Sequence, residues 1–76
     1  MTPVEIPKNK QEVLRLSFGE YRDRMLLNAR VWYRNAEGEE LKPGKDGWAI
    51  SIEKLPEIVA GLQGLEAEAR AAGFLK

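Results

Sequence analysis

Two periodicities divide the chain, an alternation of apolar and polar residues in its first part and a helical spacing in its last part. Between residues 12 and 21, Leu14, Leu16 and Phe18 take every second position. Successive side chains of a strand point to opposite faces, so this alternation predicts a strand with these three residues toward the core. Gly19 interrupts the pattern and predicts a bulge or a bend.

A longer strand is predicted over residues 24–34, after a hairpin tip at Arg22 and Asp23. Its odd positions are mostly apolar, and its even positions are mostly basic or aromatic. The odd set is Met25, Leu27, Ala29, Val31 and Tyr33, and the even set is Arg24, Leu26, Asn28, Arg30, Trp32 and Arg34. The pattern predicts a sheet with one apolar face and one face that carries cations and rings.

Two groups of turn-forming residues follow this strand, at residues 35–38 and 43–47. They predict one short strand between the turns and another over residues 48–52. Residues 24–52 would then form a meander of one long and two short strands. Pro43 has no backbone N–H to donate, so we expect it at a strand end or on a sheet edge.

The last part of the chain predicts one helix. Apolar residues recur there at helical spacing, at Leu55, Ile58, Val59, Leu62, Leu65 and Ala69. Because Pro56 is tolerated only in a first turn, we expect the regular helix to begin near residues 54–56, after an irregular lead-in. Gly73 suits the C-terminal cap. The apolar stripe is expected to cover the odd face of the sheet, because no other element is available to do so.

The chain has 76 residues and contains neither Cys nor His. A domain of this size buries only about 60% of the surface that its unfolded chain exposes, and it has no disulfide to compensate. We therefore expect a partner subunit, most simply a second copy in a homodimer. Residues 1–11 contain two prolines and no periodicity, which predicts a flexible arm ahead of a single domain over residues 12–76.

The first residues lack an apolar signal core, and no apolar run reaches the roughly 20 residues that span a bilayer. A cytoplasmic protein is therefore expected, associated with the nucleoid if it is bacterial.

The charges are distributed unevenly although their total is zero. Residues 8–34 hold seven Lys or Arg and three acids, whereas residues 35–76 hold five Lys or Arg and eight acids. Five of the first seven cations are Arg, the side chain that forks onto phosphate and stacks on bases. The sheet is thus expected to present a positive field to an anionic partner, with ordinary solvated arginines as the alternative.

No set of residues suits catalysis. The chain has no Cys or His for a nucleophile–base pair, and Gly44-Lys45 lacks the rest of a phosphate-binding loop. Glu37, Glu39 and Glu40 form an acidic group in a predicted turn, where solvated carboxylates are expected rather than a metal site. We therefore expect a protein that is not an enzyme and that holds no metal.

What remains is a group of cations and aromatic rings in or beside the strands. Cations follow the phosphates of an unpaired nucleic-acid strand while exposed rings stack on its bases, and such binding tolerates any sequence. The helix is acidic at its exposed positions, which argues against readout of a duplex by this helix. Trp48 has no cation beside it in its strand and is interpreted as a core or interface ring. The candidate nucleic-acid-binding residues are Tyr21, Arg22, Arg24, Arg30, Trp32, Tyr33, Arg34, Lys42 and Lys45.

The segment from Met25 to Ile52 resembles the C-terminal domain of the transcriptional coactivator called positive cofactor four, and its small bacterial and phage relatives above all. The resemblance covers about residues 12–65. Its most specific part is the run Lys42-Pro43-Gly44, followed by Gly47 and an Ile-Ser strand. It implies an α+β homodimer, with a curved four-stranded antiparallel sheet followed by one C-terminal helix. It also implies binding of single-stranded or melted DNA with little sequence preference, without catalysis or a cofactor.

Position by position, the resemblance implies ligand contacts at Tyr21, Arg22, Arg30, Tyr33, Lys42 and Lys45. Asp46 and Gly19 stand where the coactivator has basic residues, which is expected to weaken the contact with phosphate. Strict alternation places Tyr33 on the apolar face, opposite Arg30, so strand twist or a bulge would have to reconcile the two.

We therefore expect single-stranded DNA binding that supports transcription, replication or repair, with the transcription machinery as a further possible partner. Two alternatives stay open. One is a dimeric protein-interaction module that docks an acidic transcription partner, and the other is RNA binding, because recognition of the 2′-OH leaves no signature in this sequence.

Overall fold

The structure is a computed structural model that describes residues 3–75. Four antiparallel strands form one open sheet in the order β1-β2-β3-β4, and a single helix follows them. The elements are β1 (Val4–Pro7), β2 (Glu12–Tyr21), β3 (Arg24–Tyr33), β4 (Lys42–Ser51), a 3₁₀ turn (Ile52–Lys54) and α1 (Leu55–Ala71). The predicted class, an antiparallel sheet followed by one helix, is confirmed. No helix in the described part of the chain is long and apolar enough to span a membrane.

A tight hairpin fixes the register of the two central strands. Arg22 and Asp23 have φ angles of 51° and 63°, as a two-residue turn with the twist of its flanking strands requires. Pairing continues without a break from Tyr21 opposite Arg24 to Glu12 opposite Tyr33. The predicted hairpin tip is therefore confirmed.

The segment predicted as a flexible arm contains strand β1, which corrects that prediction for residues 4–7. β1 pairs antiparallel with β2, with Val4 opposite Leu16 and Ile6 opposite Leu14. Asn9 closes the connection, since its side-chain oxygen accepts hydrogen bonds from the backbone N–H groups of residues 11 and 12. Pro7 is compatible with this strand because β1 lies at the edge of the sheet. Residues 1 and 2 of the predicted arm lie outside the described residues.

The second predicted turn, residues 43–47, is wrong, because these residues belong to the continuous strand β4. Arg30 pairs with Gly47 and Trp32 pairs with Pro43, so residues 44–46 lie opposite Val31 alone. Such a bulge bends the strand and increases its twist. The glycines are needed for close approach, because a Cβ at Gly44 would lie 2.7 Å from the carbonyl oxygen of Val31. Pro43 lies near the start of an edge strand, as predicted.

The ends of the helix follow the sequence signals. The 3₁₀ turn forms the expected irregular lead-in, and Pro56 lies in the first turn of α1. At the other end Gly73 has a φ of 81°, and its N–H donates to Arg70 O while Phe74 N–H donates to Ala69 O. These two bonds form a Schellman motif, which satisfies carbonyls that the helix itself leaves free.

The helix does not cover the sheet, which corrects the predicted packing. None of its residues is buried, and Leu62 in the middle of the apolar stripe is 60% exposed. Only Val13, Leu27 and Ala29 are buried among the apolar residues of the described chain. The protomer therefore exposes both the apolar stripe of the helix and much of the apolar face of the sheet.

Candidate nucleic-acid interface

The register of β2 and β3 collects cations and rings on one face of the sheet, called here the basic face. Cross-strand pairs set Tyr21 opposite Arg24, Arg15 opposite Arg30, and Val13 opposite Trp32. Directly opposed residues share a face, so two rings and three arginines lie on it together. The predicted residues Tyr21, Arg24, Arg30 and Trp32 thus lie along one face of the sheet, and the alternation predicted for β3 is confirmed.

Arg15 is a member of this face that the sequence interpretation missed. Its guanidinium carbon lies 4.0 Å from the centroid of the Trp32 ring, which is a cation–π contact. Its Nε donates to Glu5 Oε2 at 2.8 Å, and its Nη2 donates to the same oxygen. A signal for this residue was present in the sequence, because a two-residue hairpin at Arg22 and Asp23 dictates the pairing of Arg15 with Arg30.

Arg30 and Arg34 extend the basic face toward the bulge and the loop that follows β3. Arg30 Nη1 donates to Gly44 O at 2.9 Å, which ties the guanidinium to the bulge of β4. Arg34 Nε is buried without a hydrogen-bond partner in the described residues. The backbone N–H of Arg34 donates to Gln11 O, so the loop is attached to the start of β2. Both arginines are half-buried and retain charge close to the sheet surface.

The hairpin tip presents a more exposed pair of groups. Arg22 is exposed and its guanidinium carbon lies 5.2 Å from the centroid of the Tyr21 ring. Tyr21 is 60% exposed, so a base can reach its ring. The predicted grouping of Tyr21, Arg22 and Arg24 at this tip is therefore present in the structure.

Tyr33 and Lys42 lie on the other face. They are directly opposed across β3 and β4, and Tyr33 lines an open cleft with Glu12, Val31, Pro43, Gly44, Lys45 and Asp46. Because the bulge lies in β4, it does not bring Tyr33 to the face of Arg30. The nine predicted residues therefore divide into a basic face, a hairpin tip, and a cleft that Tyr33 and Lys45 line, with Lys42 directly opposite Tyr33.

The two β3 rings have different surroundings. Trp32 is half-buried and one side of its ring is covered by the Arg15 guanidinium. Tyr33 is 37% exposed and borders the cleft. Tyr33, with Tyr21 at the hairpin tip, is therefore more accessible to a stacking base than Trp32 is.

One carboxylate beside the cleft has a shifted pKa. The side-chain amide of Asn9 donates to Glu12 Oε1 at 2.8 Å, and Lys8 Nζ lies 3.6 Å from the same oxygen. The hydrogen bond from Asn9, and secondarily the charge of Lys8, lower the pKa of Glu12 below its ordinary value. Glu12 is therefore ionised at neutral pH and adds a negative charge at the end of the cleft.

Comparison with solved structures identifies the architecture. Over 83% of this chain and 84% of the other, it superposes on a PC4 homologue from Burkholderia pseudomallei with a TM-score of 0.75 and 24% sequence identity. The chain has the PC4-type fold. Positive cofactor four is abbreviated PC4, so the fold predicted from the resemblance is confirmed. No protein-family model matches the chain, and no curated protein matches it.

Two further proteins with the PC4-type fold are similar at lower identity. The bacteriophage T5 homologue of PC4, which is implicated in recombination-dependent DNA replication, has a TM-score of 0.71 and 18% identity over 91% of this chain and 80% of its own. MoSub1, whose structure was solved in complex with DNA, has a TM-score of 0.60 and 20% identity over 93% of this chain and 86% of its own. A second MoSub1 structure contains single-stranded DNA.

Proposed function

We propose that this protein binds single-stranded DNA with little sequence preference, through phosphate neutralisation by arginine and lysine and stacking of bases on tyrosine. The observation that carries the proposal is the basic face, where the register of β2 and β3 aligns arginines with aromatic rings. Unpaired strands are held in this way by proteins that do not read sequence. The solved DNA complexes of MoSub1, which shares the PC4-type fold, support the same ligand.

Binding without catalysis is part of this proposal. The expected place of action is melted DNA during transcription, replication or repair, and the T5 homologue supports the replication role. Base stacking is assigned to Tyr21 and Tyr33, whose rings are accessible, and phosphate contact is assigned to Arg22, Arg24, Arg30, Arg34, Lys42 and Lys45. Trp32 contributes through the Arg15 guanidinium that covers it.

The binding unit is proposed to be a homodimer. The accessible surface of one protomer is 6430 Å². A compact monomer of 8.6 kDa exposes only about 4,700 Å². The excess, about 1,700 Å² per chain, lies in the range that an obligate dimer buries. Two apolar surfaces are available for the dimer contact. One is the helix stripe, and the other is a cleft of about 570 Å³ lined by Leu55 and apolar residues of the sheet.

The test is a titration with oligo-dT, a duplex of the same length and an RNA oligomer, followed by quenching of Trp and Tyr fluorescence. We expect tight binding to oligo-dT, weak binding to the duplex, and a log affinity that falls with log salt by about 0.7 per phosphate contacted. Lys42→Gln should reduce that slope, whereas Lys54→Gln, at the start of the helix, is the matched control for loss of one charge. A flat salt response, or equal affinity for the duplex, would refute the proposal. Stronger binding to RNA than to oligo-dT would identify RNA as the ligand instead of DNA.

A further inference from the structure

The side chain of Glu5 binds a cation on the basic face. Its carboxylate accepts hydrogen bonds from both Nε and Nη2 of Arg15, while one face of the guanidinium rests on the Trp32 ring. Within this arrangement Trp32 positions the planar fork of Arg15, and Glu5 takes the anion position in front of it. A phosphate oxygen uses the same donors of a guanidinium, because carboxylate and phosphate both suit its fork geometry.

Within a single protomer, the strand that carries Glu5 buries little surface. β1 has four residues, lies at the edge of the sheet, and all four are exposed. Val4 and Ile6, which face the apolar side, keep about half of their surface in contact with solvent. Segments that bury little apolar surface open at low free-energy cost. The Glu5 side chain is itself 45% exposed, against 23% for Arg15, so an incoming anion has access to the pair.

A like-charge contact gives the ion pair its importance for the site. Arg15 lies directly opposite Arg30 in the β2–β3 register, and directly opposed like charges destabilise a sheet. Glu5 neutralises one of the two charges in the free protein. A phosphate that replaced the carboxylate would do the same while it joined the nucleic acid to the centre of the basic face.

We propose that Arg15, supported by Trp32, is a phosphate-binding subsite for nucleic acid, and that Glu5 of strand β1 occupies it in the free protein as an intramolecular competitor. This inference rests on the proposed function, since it assigns a further contact and its regulation to the same face. Strand β1 thereby lowers the affinity of the face rather than adding a contact to it.

The experiment compares Glu5→Gln with Glu57→Gln in oligo-dT titrations at several salt concentrations. Both substitutions remove one negative charge, but Glu57 pairs with Lys54 at the start of the helix, away from Arg15. We expect Glu5→Gln to tighten binding about 1.5- to 5-fold, the range that corresponds to an exposed ion pair. The salt slope should steepen by about 0.7, because the phosphate then neutralises an unpaired Arg15, whereas in the wild type it only exchanges with Glu5. Glu57→Gln should leave both quantities near the wild-type values.

Arg15→Gln, alone and combined with Glu5→Gln, completes a double-mutant cycle. The gain from Glu5→Gln should disappear when residue 15 is Gln, and Arg15→Gln should weaken binding more in the Glu5→Gln background than alone. Equal behaviour of Glu5→Gln and Glu57→Gln overturns the inference, as does a gain that persists without Arg15. Glu5→Ala provides a second variant with the same expected outcome, and a thermal melt of each variant establishes that it is folded. If wild-type protein binds oligo-dT and only these differences are missing, the proposed function stands and the inference alone fails.

Discussion

Replacement of Leu62 by Ala tests whether the exposed helix stripe is the dimer contact. Leu62 is 60% exposed in the protomer and lies in the stripe with Val59 and Leu65, which are also exposed. Truncation should therefore cost an isolated protomer little from lost burial, and Ala has the higher helix propensity. A large loss of stability must come from contact with a second chain.

The magnitude follows from the exposed fraction. Full burial of a Leu side chain is worth about 1.5–3 kcal/mol, so covering the exposed 60% of Leu62 is worth about 0.9–1.8 kcal/mol. An interface with twofold symmetry contains each residue twice, which gives a total of about 2–3.5 kcal/mol. The dissociation constant of the dimer should thus rise roughly 20- to 400-fold.

Sedimentation equilibrium over a dilution series measures that constant directly, and a melting temperature that depends on concentration gives a second readout. Gln63→Ala is the matched control, because Gln63 is exposed on the same helix but outside the apolar stripe. Wild-type protein that remains monomeric at every concentration would refute the reasoning. So would a Leu62→Ala variant whose dissociation constant equals that of Gln63→Ala.

Three further predictions concern the cleft, the bulge and the Glu12 carboxylate at the start of β2. Tyr33→Ala should weaken oligo-dT binding about 5- to 150-fold, the range for one stacked base, whereas Tyr33→Phe should retain the affinity. Unchanged affinity of the Ala variant in a fluorescence titration would show that Tyr33 lies outside the interface. Gly44→Ala should lower the free energy of unfolding, measured in urea, by about 1–3 kcal/mol, because its Cβ would lie 2.7 Å from Val31 O. Gly61→Ala is the control and should be neutral or stabilising, because a Cβ there has nothing within 4 Å in the protomer. Equal effects of the two substitutions would show that the bulge tolerates a side chain. Because the folded pKa of Glu12 is lowered, its stabilisation is present above the ordinary Glu pKa and is lost as the pH falls through the folded value. Asn9→Ala should therefore flatten the acid limb of stability against pH, measured by urea titration at each pH, and a limb as steep as that of the wild type would contradict the assignment.

The central strands were predictable because alternation and a two-residue turn are local signals. Leu14, Leu16 and Phe18 set the face of β2, and the tip at Arg22 and Asp23 sets its register against β3. β1 was missed because a four-residue edge strand that ends in a proline is too short for its alternation to be a signal. Its existence depends on pairing with β2, which is a tertiary contact.

The bulge in β4 shows how local propensity can mislead. Pro43, Gly44 and Gly47 are turn formers, yet here Gly44 is required by the closeness of the Val31 carbonyl. The wrong prediction for helix packing has a different cause. Periodicity identifies the apolar stripe, and the sheet of the same chain was assumed to be its partner. The stripe was identified correctly in the sequence, but its partner could not be determined from periodicity.

The candidate site was predictable in its residue types and less so in its geometry. Alternation separated Arg30 and Trp32 from Tyr33, and the structure keeps that separation. Arg15 was left out because it lies in β2 among apolar residues, away from the cations of β3. Its contact with Trp32 depends on strand register, which the hairpin sets but which composition and charge counts do not reveal.

The open sheet has a consequence for handling the protein at high concentration. β4 is an edge strand, and Pro43 removes a backbone donor near its beginning. From Gly47 to Ser51 the same edge carries no proline and no charged side chain. Unprotected edges of this kind pair with strands of other molecules and seed aggregates. A lysine in place of Ala49, which is exposed, is therefore a rational change for anyone who needs soluble, concentrated samples.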